Sequence, residues 1–127
     1  MRRVALLAAA LALASCGRSP FKQLEVGERA SDGDVIVPKR TIKAGTNVGL
    51  ACELTFDAPD RGVQVEASWT YRAPGSAEEK VLHSEWGPRS GKGKWLLRID
   101  AGDWKVGDYT CTFRTEGYRL AGVIVAQ

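Results

Sequence analysis

Three cysteines, Cys16, Cys52 and Cys111, and a single histidine, His83, carry the most reactive side chains in this sequence. A zinc centre gathers about four Cys or His ligands, or three and a water, at characteristic spacings. This inventory supplies no such set. His83 sits in Val81-Leu82-His83-Ser84-Glu85. On a strand its neighbour Ser84 points to the opposite face, so the imidazole cannot activate that hydroxyl, and His83 is expected to face solvent. Carboxylates cluster at Asp57/Asp60, Glu78/Glu79 and Asp100/Asp103/Asp108. The tightest group, Asp100-Ala101-Gly102-Asp103, offers two carboxylates where calcium takes about six to eight oxygens. It reads as turn and capping chemistry. A glycosidase pair of carboxylates is compatible with the spacing but has no further support. Gly87-Pro88-Arg89-Ser90-Gly91-Lys92-Gly93-Lys94 has the residue types of a phosphate loop without its spacing or its strand–loop–helix setting. What the stretch does hold is Arg89, Lys92 and Lys94 beside Trp86. It reads as a mobile loop, either a solvated connection or a contact for an anionic partner such as a polysaccharide or an acidic protein face. Trp86 suits either the core or an exposed anchor, since Trp and Arg carry much interface energy. No catalytic residue, metal or cofactor is expected, and the chain is not expected to be an enzyme.

The elements that must position these residues come from 127 residues, 44% apolar and 26% charged. That is ordinary globular composition and the length of one domain. Residues 1–15 stand apart. Met1-Arg2-Arg3 is basic, Val4 to Ala12 is wholly apolar, and Leu13-Ala14-Ser15-Cys16 is small. A charged start, a short apolar run and a small-residue cleavage site describe a secretory signal. The run is shorter than the ~20 residues a bilayer span needs. As a buried core helix it would set Arg2 and Arg3 against the positive end of its dipole.

Leu13-Ala14-Ser15-Cys16 also resembles the lipobox of bacterial lipoproteins at all four positions. The resemblance implies cleavage before Cys16, a diacylglycerol on its sulfur and a fatty acid on its amine, and so a membrane anchor. The alternative is ordinary secretion with Cys16 left as an odd thiol. Gly17-Arg18 lacks the Asp that tends to retain lipoproteins in the inner membrane, so the resemblance favours the outer membrane, facing the periplasm or the exterior. Cleavage removes Arg2 and Arg3. Residues 16–127 keep 16 basic and 15 acidic residues, a net charge near +1. No nucleic-acid partner is expected from so small an excess.

Residues 16–34 are polar with Gly, Pro and Ser, and are expected to form a flexible tether after the lipidated cysteine, with Phe21, Leu24 and Val26 docking weakly at most. From residue 35 the period is two. Val48 to Phe56, Val63 to Arg72 and Tyr109 to Arg114 alternate apolar with polar, as half-buried strands do. Shorter strands are expected at Val35–Val37, Val81–Trp86, Trp95–Ile99 and Arg119–Ala126. Turns are expected at Ala58–Gly62, Ala73–Ser76, Gly87-Pro88 and Glu116-Gly117. About seven or eight short strands with no amphipathic helix predict an all-β sandwich over residues 35–127.

With Cys16 used by the anchor, Cys52 and Cys111 remain as a pair in an oxidising compartment. Cys52, Trp69 and Tyr109-Thr110-Cys111 resemble the immunoglobulin-like domains, an antiparallel β-sandwich. The resemblance implies a Cys52–Cys111 disulfide between the sheets, Trp69 packed upon it, and Tyr109 at the corner before the second cysteine. Another disulfide-closed β-barrel fits the same spacings. The function expected is a lipid-anchored, non-enzymatic cell-envelope protein acting as a binding module for an unidentified envelope protein or polysaccharide. The alternative is an inhibitor or immunity lipoprotein that blocks a lytic enzyme such as a lysozyme.

Overall fold

Period-two alternation buries one face of the longer strands over much of their length, and two of the strands here are long enough to fold that face over on itself. A computed structural model describes residues 18–29, 35–100 and 102–127. The signal segment expected at 1–15 and the lipidation site expected at Cys16 lie outside the described residues. Seven strands follow in chain order: β1 (Phe21–Arg29), β2 (Ile36–Pro38), β3 (Thr41–Ile42), β4 (Leu50–Arg72), β5 (Lys80–Ile99), β6 (Gly107–Thr115) and β7 (Tyr118–Ala126). No helix occurs among the described residues, and the chain is all-β. Neighbours run β2-β1-β4-β6-β7-β3, with β5 also on β4. The ladders are antiparallel except β3 on β7, where Thr41 and Ile42 run parallel to Val125 and Ala126.

β4 is the hinge of the sheet. Its first stretch, Leu50 to Ala58, lies between β1 and residues 91–99 of β5. Its second, Val63 to Arg72, pairs with residues 80–89 of β5 and then with β6. Between them the register jumps from Ala58↔Gly91 to Val63↔Arg89. The four residues Pro59 to Gly62 therefore stand opposite one, Ser90, on the partner strand. Such an insertion bends the strand and raises its twist, and the sheet curls into a half-barrel.

Three sequence expectations change here. The turn expected at Ala58–Gly62 is this bend and does not reverse the chain. Gly87-Pro88 and the basic stretch after it are not a mobile loop: they lie inside β5, which joins the two strands expected at Val81–Trp86 and Trp95–Ile99. Pro88 is tolerated because this part of β5 is an edge that pairs only with β4. Gly93 is needed because a Cβ there would come within 2.8 Å of Phe56. Finally, the tether expected over 16–34 enters the sheet at Phe21. β1 pairs with β4 from Phe21↔Phe56 to Glu28↔Leu50, with a bulge between Phe21 and Gln23. That extra residue puts Phe21, Leu24 and Val26 in register with the inward Phe56, Leu54 and Cys52.

The core closes around the two later cysteines. Cys52 and Cys111 form a disulfide with Cα atoms 6.6 Å apart, and both are fully buried. In register with them stand Val26 and Leu97 on one side of the curl, Trp69 and Gly122 on the other. Val26 packs so closely on Gly122 that a Cβ at 122 would meet it at 2.7 Å. Trp69 is fully buried and donates its indole N–H to the Leu97 carbonyl at 3.2 Å. The Tyr109 hydroxyl turns back to the backbone of Lys105, accepting from its N–H at 2.9 Å and donating to its carbonyl at 3.1 Å. Trp104 meets the Tyr109 ring edge-on at 5.2 Å.

Burial holds the Tyr109 phenol above its ordinary pKa, with the Lys105 bond opposing. A phenol raised on folding stabilises the fold fully below its unfolded value of ~10 and loses that contribution as pH climbs through the folded value. Tyr109→Phe is expected to lower stability by about 1–2 kcal/mol at neutral pH, since it leaves the Lys105 backbone without its partner. It should also flatten the alkaline limb of the stability–pH curve. Urea midpoints measured from neutral to alkaline pH check both effects.

Candidate functional site

The bend in β4 that curls the sheet also opens one end of it. There an open cavity of about 770 Å³ forms between the residues leading into β1, the β4 bend, the outer face of β5 and the β6–β7 turn. Each wall has a local reason. Pro59 and Arg61 come from the inserted residues of the bend, where Gly62 takes a φ of +85°. Gly117, at +84°, makes the tight β6–β7 turn and leaves Glu116 and Tyr118 at the mouth. Thr115 donates its hydroxyl to the Gln64 carbonyl at 2.7 Å, tying that turn to β4.

Three guanidinium groups line this cavity, Arg18, Arg61 and Arg114, against one carboxylate, Glu116. Arg114 is hydrogen-bonded to Glu66 beside it. Neither Arg18 nor Arg61 forms an ion pair among the described residues. Trp86, in register with Glu66, stands 65% exposed at the wall. Of the two positions expected for Trp86, core or exposed, it takes the exposed one. Planar guanidinium forks match carboxylate and phosphate oxygens two at a time, and an exposed indole beside them offers a large apolar face. Together they can bind an anionic group that carries apolar surface.

The basic residues expected to surround Trp86 are not gathered there. Along β5 the side chains alternate, which sends Arg89 to the inner face while Trp86, Lys92 and Lys94 share the outer one. Arg89 lies 3.5 Å over the Trp95 ring. Burial lowers its pKa and Glu85 raises it. Lys94 is 3.7 Å from Glu53, and Lys92 is in register with Asp57, on the far side of the bend from Trp86. His83, expected to face solvent, is half-buried: it shares the inner face with Trp69 and meets Glu85 at 2.8 Å. Glu85 also accepts the Trp95 indole N–H at 3.2 Å. The His83, Glu85, Arg89 and Trp95 side chains form a polar seam along the edge of the core, on the face away from Trp86.

A second hollow of about 660 Å³, where β1 meets β7, carries Glu25, Lys39 and Arg40 and no aromatic side chain. Among the described residues no group of three or more His, Cys, Asp or Glu side chains could hold a metal ion. The residues that sequence reasoning missed, Arg18, Arg61 and Arg114, lie in three separate segments. Only the entry into β1, the bend and the β6 register bring them to Trp86, and no local pattern marked them. No family model matches the chain, and no curated protein matches it.

Proposed function

We propose that this is a lipid-anchored, non-enzymatic protein of the cell envelope, fixed through Cys16, whose immunoglobulin-like domain acts as a binding module for an anionic partner. The outer membrane is its expected location. The observation that carries the reading is the cavity in which Arg18, Arg61 and Arg114 stand beside an exposed Trp86. The immunoglobulin-like reading draws support from three contacts. A disulfide links β4 to β6, Trp69 pairs in register with Cys111, and the Tyr109 hydroxyl reaches back to Lys105. Since such sandwiches host unrelated functions, the binding role rests on the cavity and not on the fold.

The test is a photo-crosslinking amino acid placed at position 86 in the full chain in intact cells, with the same probe at Lys43 as control. A defined adduct from position 86 that disappears when Arg61 and Arg114 are both changed to Glu supports the module. Labelling from position 86 no stronger than from position 43 contradicts it.

A further inference from the structure

β1 changes what an anchor at Cys16 can do. A flexible tether of residues 16–34 would let the domain tumble away from the bilayer, but the chain is already in the sheet at Phe21. Four residue steps separate Cys16 from Pro20. At ~3.5 Å per extended residue they span at most about 14 Å. Pro20 and Arg18 themselves line the cavity, and the Pro20 carbonyl accepts the Asp57 N–H at 2.9 Å, fixing that entry to β4. A lipid on Cys16 therefore holds this end of the domain, and no other, against the membrane.

The residues at that end suit such a place. Trp86 and Tyr118 are the amphipathic rings favoured at the level of lipid headgroups. Arg18 and Arg61 form no ion pair among the described residues and offer forked donors to phosphate. Weak contacts suffice, because an anchored domain meets the surface as an intramolecular event.

We infer that the cavity end is a docking surface for the bilayer to which the chain is anchored, with Trp86 at headgroup depth and Arg18 and Arg61 on the phosphates of anionic phospholipids. This rests on the lipidated Cys16 of the proposed function and names the anionic partner of that same cavity. The full lipidated chain, reconstituted into vesicles of phosphatidylcholine and phosphatidylglycerol, tests it by quenching of tryptophan emission with lipids brominated near the headgroup. Trp69, Trp95 and Trp104 are buried, so the quenching expected is that of Trp86. It should be lost in Trp86→Phe, and weakened in the Arg18→Glu, Arg61→Glu double variant and in phosphatidylcholine alone. A chain that floats with the vesicles while wild type and Trp86→Phe are quenched alike keeps its anchor and overturns the docking. A chain that does not float with them overturns the anchor, and the docking with it. A protein adduct in place of a lipid adduct from position 86 in cells would also overturn the docking while leaving the binding module standing.

Discussion

Replacing both Cys52 and Cys111 by alanine lowers the free energy of unfolding by about 4 kcal/mol, the loop-closure value for residues this far apart in the chain. The separation is 59 residues. The bond joins β4 to β6 at the centre of the curl, with Val26, Leu97, Trp69 and Gly122 in register around it. Its loss therefore frees the unfolded chain and also loosens this row of the core. A domain of this size has about 5–15 kcal/mol in all, so the loss takes from about a quarter to about four-fifths of its stability. Urea unfolding of the oxidised wild type and the double variant measures the difference. A midpoint shift worth less than about 1 kcal/mol would mean that the curl holds without its cross-link.

The second large effect is at Trp69. Trp69→Ala removes a fully buried indole and its hydrogen bond to Leu97, at 3.2 Å. Large aromatic deletions in a core cost about 3–5 kcal/mol, and the unpartnered Leu97 carbonyl adds to the loss. Trp69→Phe should recover the greater part, since the ring still fills the space beside Cys111. If Phe is as damaging as Ala, the site depends on the hydrogen bond more than on packing. Thermal unfolding of both variants distinguishes these cases.

The interior was the legible part of this fold. Cys52, Leu54, Phe56, Val65, Trp69, Tyr109, Cys111 and Phe113 lie on one side of a period-two pattern, and all of them are buried. Alternation is a local property, set by the pleat within a single strand. Two kinds of feature escaped it. The first is β1, where one bulged residue between Phe21 and Gln23 breaks the alternation that would have marked a strand. The second is the continuity of β4 and β5. Ala58-Pro59-Asp60-Arg61-Gly62 and Gly87-Pro88 have the composition of turns, yet each sits where a long edge or a bend accommodates it. The cavity depended on both. Arg18 reaches it because β1 is a strand, and Arg61 because the bend is not a reversal. Arg114 reaches it because β6 registers Glu66 against it. Composition placed the positive charge on the Arg89–Lys94 stretch instead, and there the alternation of β5 divides it between two faces.

A lipid on Cys16 would set the orientation of the cavity end, through that attachment and the short distance to Phe21. The direct measurement is the intact mass of the chain extracted from the membranes of the cells that make it, with and without an inhibitor of the lipoprotein signal peptidase. The expected result is a chain beginning at Cys16, heavier than its residues by a diacylglycerol and an acyl group, with the form that retains residues 1–15 accumulating when the peptidase is inhibited. A chain that keeps residues 1–15 without the inhibitor, or that begins elsewhere with Cys16 unmodified or absent, would contradict it.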